Sequence, residues 1–153
     1  MNPIFECPEC GNPRGMLDAC LQCGSKALPL PHSDTVVLNL KCDGPSAEVA
    51  LERLTIALRR ASELGIKAMI LIHGYGASGE GGKIKWAIHD ALENNYFSDR
   101  VYEYYFGENT AFASDAYHAL LRRRPGLKAH LKHFKEGNAG MTVLLLGSQS
   151  RIA

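Results

Sequence analysis

Four cysteines stand in two Cys-x-x-Cys pairs near the start of the 153-residue chain, Cys7-Pro8-Glu9-Cys10 and Cys20-Leu21-Gln22-Cys23. Two spacer residues let both sulfurs of a pair face one ion. The glycine that follows each pair, Gly11 and Gly24, permits the backbone turn with positive φ that such a knuckle needs. Nine residues separate the pairs, enough for a short hairpin that brings the knuckles together. Four thiolates in a tetrahedron are the ligand set of structural Zn²⁺, one ion per chain. A redox pair normally comes singly on a βαβ scaffold, whereas two pairs stand here at knuckle spacing, so a zinc ribbon is the expectation. The fifth cysteine, Cys42, has no second thiol left to pair with and reads as a packed or incidental residue.

A second set of candidates lies around His73-Gly74-Tyr75-Gly76-Ala77-Ser78-Gly79-Glu80-Gly81-Gly82. A strand that ends in a glycine loop and runs into a basic helix start suits an anion. Backbone N–H groups at a helix N-terminus carry partial positive charge, glycines let a phosphate come close, and Lys83 and Lys85 add full charges. Gly74-x-Gly76-x-x-Gly79 formally matches the dinucleotide fingerprint, but the following helix starts too late for the third glycine to pack it, and repeated βαβ halves are absent. The ATP-type loop fails outright. Ala77 replaces its first glycine and Ile84 the hydroxyl residue that would hold Mg²⁺.

The elements that must position these residues follow from periodicity. Residues 1–27 form the ribbon, and 28–34, with two prolines, read as an extended linker. Residues 35–148 form the main domain, with a helical insertion at about 110–136. Within it, 35–40 is a strand. Residues 46–64 are a helix that buries Ala47, Ala50, Leu51, Leu54, Ala57, Leu58 and Ala61 and stops at Gly65. Val49 and Ile56 fall on its outer face. Strand 66–72 leads into the glycine loop, and helix 83–94 turns Ile84, Ala87, Ile88 and Ala91 inward, leaving Trp86 outside with His89 and Glu93. The ribbon or the 113–134 segment is expected to cover these outward apolar residues. Residues 100–106 and 141–146 are the last strands, and in the first of them Tyr102, Tyr104 and Phe106 alternate onto one core face.

Between those strands, 113–124 is helical, Pro125-Gly126 breaks it, and 127–134 makes another turn or two. Residues 113–136 hold six Lys or Arg and two acids. Arg122, Arg123 and Arg124, with Lys128, Lys132 and Lys135, read as a solvated face that becomes a nucleic-acid footprint only if it shares a side with the glycine loop. His130 and His133 lack a third ligand for a metal.

From residue 35 to 146 the chain resembles a Smr (small MutS-related) domain. The resemblance rests on Val36-Val-Leu-Asn-Leu40, Ala50-Leu-Glu-Arg-Leu54, Leu64-Gly-Ile-Lys67, Ile70-Leu-Ile-His73-Gly-Tyr-Gly76 and Asn138-Ala-Gly-Met-Thr-Val-Leu-Leu-Leu146, in that order. It implies a two-layer α/β fold of order β-α-β-α-β-β, like the C-terminal domain of bacterial translation initiation factor three. It also implies nucleic-acid binding and, in several members, endonuclease activity. The family's His-Gly-x-Gly is matched at His73, Gly74 and Gly76, which makes His73 the candidate catalytic residue. Its Asp-x-His is not matched: Asn39 and Lys41 stand there. Asn cannot act as a base, and a lysine at an ordinary pKa of about 10.4 is protonated. The substitution favours binding a phosphate over cleaving a phosphodiester, unless Asp43 or Glu80 takes the missing role.

Composition adds a boundary. Charged residues are 22% and net charge is +1, so no global basicity announces a polyanion partner. No charged-then-apolar leader opens the chain, and apolar runs such as 68–72 and 143–146 fall far short of a membrane span. Reduced cysteines suit the cytoplasm. The expectation is a cytoplasmic nucleic-acid-binding protein, RNA favoured over DNA by analogy with translation factors. It grips phosphates at Lys41, His73, Gly74, Gly76, Lys83, Lys85 and Arg122 to Arg124. The alternatives are an altered endonuclease and a protein-interaction module that uses the ribbon with Val49 and Ile56.

Overall fold

The computed structural model describes residues 5–16, 19–31, 33–40, 46–74, 81–107, 110, 114–127 and 140–147. Lys41, Cys42, Asp43, Gly76, Gly79, Glu80 and the Lys128 to Lys135 segment lie outside the described residues.

The larger sheet has four strands in the order β3-β4-β6-β5: β3 (Thr35–Asn39), β4 (Ala68–Ile72), β5 (Val101–Phe106) and β6 (Met141–Leu146). β3 and β4 are parallel, with Asn39 opposite Ile72, and the other pairings are antiparallel. A parallel pair needs a crossover, supplied here by α1 (Ala47–Leu64). Its start is fixed by Ser46, whose hydroxyl accepts from the Val49 N–H at 3.2 Å. Its end is fixed by Gly65 at φ 75°, a left-handed cap whose N–H bonds Ala61 and Ser62. Ala50, Leu54, Ala57, Leu58 and Ala61 are buried as the periodicity requires. α2 (Gly81–Glu93) lies beside α1 on the same face of the sheet.

The expected order β-α-β-α-β-β is found, and the insertion adds a layer. α3 (Asp115–Arg123) places Tyr117 and Leu120, with Leu127 just beyond it, on the opposite face against Ala68, Ile70, Met141, Val143 and Leu145. Met69, Leu71, Leu144 and Leu146 point the other way, into the α1–α2 core. Every residue of β6 is therefore buried, which explains why all but Thr142 are apolar. The chain turns after α3 at Gly126, where a β-carbon would stand 2.6 Å from Asp34 Oδ1, so a larger residue would push aside the carboxylate that accepts from the Thr35 hydroxyl at the start of β3.

β5 departs from simple alternation. Val101 opposes Leu146 and Glu103 opposes Leu145, so Tyr102 is an extra residue in a bulge. Tyr104 and Phe106 pack into the α1–α2 core, whereas Tyr102 and Tyr105 face the α3 side. The three aromatics expected on one face are split by that one-residue slip.

The ribbon is closed by β1 (Phe5–Glu6) pairing antiparallel with β2 (Leu30–Pro31). Residues expected to be linker thus include the ribbon's second strand, with Pro31 in a two-strand sheet where its missing N–H is tolerated. Phe5 and Met16 join the α1 core, and Arg60 Nη1 donates to the Met16 carbonyl at 3.2 Å.

Leu120→Ala should cost about 2–5 kcal/mol, the range for truncating a fully buried leucine. Urea unfolding measures it, and a loss below about 1 kcal/mol would show that α3 does not seal the second face of the sheet.

Candidate metal centre and nucleic-acid interface

The two knuckles are built alike. Gly11 N–H bonds the Cys7 carbonyl at 2.9 Å and Gly24 N–H the Cys20 carbonyl at 2.8 Å, with φ 75° and 74° at the two glycines. Cys7 N–H reaches the Asn12 carbonyl and Cys20 N–H the Ser25 carbonyl, both at 2.9 Å. In each knuckle the first cysteine is buried and the second exposed. The four Sγ atoms lie within 4.8 Å of one another, with Cys7–Cys23 and Cys10–Cys20 at 3.6 Å. A disulfide would need about 2.05 Å. A tetrahedral ion with metal–sulfur bonds of about 2.3 Å would space its sulfurs about 3.8 Å apart, so the cluster fits a four-thiolate metal site.

Its electrostatics favour thiolates at the inner positions. The Cys10 backbone N–H, then that of Glu9 against the opposing effect of burial, hold the Cys7 thiol down to about 6. The Cys23 N–H lowers Cys20 in the same way. At Cys23 the Ser25 N–H also lowers the pKa, but burial and the three neighbouring sulfurs outweigh it and push the thiol up to about 12. Four sulfurs this close repel as thiolates, and a divalent cation relieves that repulsion. Asn12 Nδ2 donates to Cys10 Sγ at 3.3 Å, a further hydrogen bond to one of the four sulfurs.

The other candidate site forms where β3 and β4 end. Because these strands are parallel neighbours, the chain leaves both at one edge, and α1 and α2 start from that edge. Leu40 N–H bonds the Ile72 carbonyl at 2.8 Å, tying the two exits together. His73 and Gly74 N–H groups both donate to the Gly140 carbonyl, at 2.9 and 3.1 Å. Gly74 then turns at φ 77°. Lys83 is exposed in the first turn of α2, and no acid accompanies it there. A cation is out of place at a helix's positive end, so its charge is available for an incoming anion.

His73 is fully buried. Its Nδ1–H donates to the Gly74 carbonyl at 2.6 Å, and Nε2 accepts from the Thr142 hydroxyl at 2.8 Å in the neutral tautomer. Both ring nitrogens are thereby engaged in holding the base of the loop to β6. Thr142, the one polar residue in β6, escaped the sequence reading, and its isolation in an apolar strand was the signal.

α2 is rotated from the expected face. Ile84, Lys85, Ile88, His89 and Leu92 are buried, while Ala87 and Ala91 are only partly so. Lys85, expected as a phosphate contact, is 7% exposed, and its Nζ lies 5.5 Å from the Trp86 ring centroid. His89, expected outside, stacks on Phe106 at 3.7 Å and 15° and meets His73 edge-on at 6.1 Å. Trp86 remains exposed beside His89.

The arginine triplet lies elsewhere. Arg123 forms an ion pair with Glu103, and Arg124 Nη2 donates to the Tyr102 hydroxyl at 3.2 Å, near the start of β5. His73 sits past the opposite end of the sheet, where Phe106 pairs with Thr142. Arg122, Arg123 and Arg124 therefore do not continue the Lys83 surface among the described residues.

Fold and site together define an α/β domain whose parallel strands end beneath two helix starts, joined to a four-cysteine ribbon. Among solved structures the chain is similar to the crystal structure of the Smr domain of Thermus thermophilus MutS2. The identity is 25% and the TM-score 0.43, over 74% of this chain and 96% of that one. No family model matches the chain, and no curated protein matches it.

Cys20→Ser should lower metal stoichiometry and, because Phe5 and Met16 belong to the α1 core, should raise amide exchange along α1 as well as in residues 5–31. Unchanged metal content would remove the four-cysteine site. Thr142→Val should destabilise by about 1–3 kcal/mol by stranding the buried His73 nitrogen, and thermal unfolding reads that loss.

Proposed function

We propose that this protein binds nucleic acid through the edge where β3 and β4 end, that its four cysteines hold one structural Zn²⁺, and that it binds rather than cleaves. The observation that carries the reading is the shared exit of two adjacent parallel strands beneath two helix starts, with Lys83 exposed in an acid-free first turn. Ligands of α/β sheets gather at such carboxyl edges. Lys41 and Gly76 are proposed to complete the anion contact, with RNA favoured over DNA and the reducing cytoplasm as the setting. The resemblance of Ile70 to Gly76 and of the terminal strand to a Smr domain supports the same ligand class. No helix among the described residues is long and apolar enough to cross a membrane.

Binding without hydrolysis follows from the chemistry of the edge. Asn39 and Lys41 supply no base, and a fully buried His73 with both nitrogens engaged is a positioning residue in this reading. Cys7, Cys10, Cys20 and Cys23 would supply all four ligands of a structural Zn²⁺, which would leave it no position at which to activate water. The interaction-module reading draws on the exposed Val49 and Ile56 and on Leu21, exposed in the second knuckle. A partner held there would bind without the salt dependence of a polyanion.

Lys83→Glu should weaken binding of a structured RNA about tenfold and flatten the salt dependence, while Arg122→Glu, at the far end of the sheet, should change it less. Fluorescence anisotropy at fixed ionic strength, with folding checked by circular dichroism, makes the comparison. Equal affinities for wild type and folded Lys83→Glu would move the contact off this edge. RNA cleavage abolished by His73→Ala would replace the binding reading with the endonuclease one.

A further inference from the structure

We propose that Trp86 is a stacking platform for an unpaired nucleobase, so that the ligand of this edge is single-stranded nucleic acid. The inference rests on the nucleic-acid reading above and narrows its substrate class.

Trp86 is the only tryptophan in the chain and is 65% exposed, although the residues around it on the helix include the buried Lys85 and His89. Among the described residues neither expected cover reaches it. The ribbon's Phe5 and Met16 pack with α1, and α3 lies on the other face of the sheet. A solvated indole forgoes the burial that would have stabilised the fold, and it is the largest apolar surface this helix could present to a ligand.

The ring is also held. It meets His89 edge-on at 5.4 Å and 77°, and His89 is itself stacked on Phe106 at 3.7 Å. Lys85 Nζ, 5.5 Å from the indole centroid, adds a cation beside it. A side chain already braced on the stacked His89–Phe106 pair loses little further freedom when a base stacks on it.

Position supplies the rest. Lys83 and Trp86 stand three residues apart on α2, so they share a helix face with their Cβ atoms about 5–6 Å apart. A cation and an aromatic at that separation match one nucleotide, its phosphate on Lys83 and its base on Trp86. In a duplex the base faces are covered by their neighbours, so this pairing of contacts requires an unstacked strand.

Because Trp86 is the sole tryptophan, indole fluorescence reports on this residue alone. The wild-type protein is titrated with a short oligouridine, with an abasic strand of equal length, and with an RNA duplex, and affinity is followed in parallel by anisotropy. Quenching by oligouridine and not by the abasic strand is expected, with Trp86→Ala losing at least about fivefold in affinity for oligouridine and Trp86→Phe recovering part of it. The exposed position makes misfolding of these variants a matter that circular dichroism checks directly. If Trp86→Ala binds oligouridine as tightly as wild type while Lys83→Glu still weakens it, stacking is overturned and nucleic-acid binding stands. If Trp86→Ala changes only the oligomeric state, the ring packs against a second copy and the inference fails. If no nucleic acid binds at any salt concentration, the underlying reading fails with it.

Discussion

Two parallel strands side by side cannot be joined by a tight turn, and the β3–β4 pair imposes that constraint on everything around it. The chain must climb back along α1 before β4 can start, which places the α1 start at the carboxyl edge of β3. β4 ends at the same edge and hands over to α2. The shared exit, the Leu40 to Ile72 hydrogen bond and the position of Lys83 are consequences of this single pairing. An antiparallel β3–β4 hairpin built from the same residues would have sent the two ends to opposite edges and left no common site.

The sequence made the elements legible wherever one physical signal dominated. Doubled Cys-x-x-Cys-Gly knuckles admit one geometry, and the structure shows it. Ser46 and Gly65 bracket α1 because a side-chain cap and a left-handed cap are local chemistry. Local signals failed where tertiary packing chose between near-equal options. In α2, Ile84 and Ile88 fixed the buried stripe, but its width was set by Phe106, which drew in His89, and by the Trp86 ring beside Lys85. The β5 bulge left no mark in the alternation of Tyr102, Tyr104 and Phe106, since aromatics suit either face.

The ribbon and the main domain are less separate than their compositions suggest. A pair of prolines in 28–31 reads as a spacer, yet Leu30 and Pro31 complete the ribbon sheet, and Phe5 and Met16 are part of the α1 core. Small ribbons have too few residues to bury a core alone. This one shares its neighbour's core and uses four sulfurs for the remainder. His73 plays a similar part at the other edge, where a buried imidazole fastens a glycine loop to β6 through Thr142.

The order β3-β4-β6-β5 has a consequence for the chain as it leaves the ribosome. β6 occupies an interior place in the sheet yet is the last strand in sequence, so β4 and β5 emerge first, each with an open edge facing the vacancy. The β4 edge, apolar on both faces, is the kind that templates pairing with another chain. Among the described residues β5 has no strand partner but β6, so the sheet is complete only when Met141 to Leu146 make their long-range pairings with both neighbours. A chain that ends before Met141 leaves β4 with one unpaired edge and β5 with no partner among the described strands.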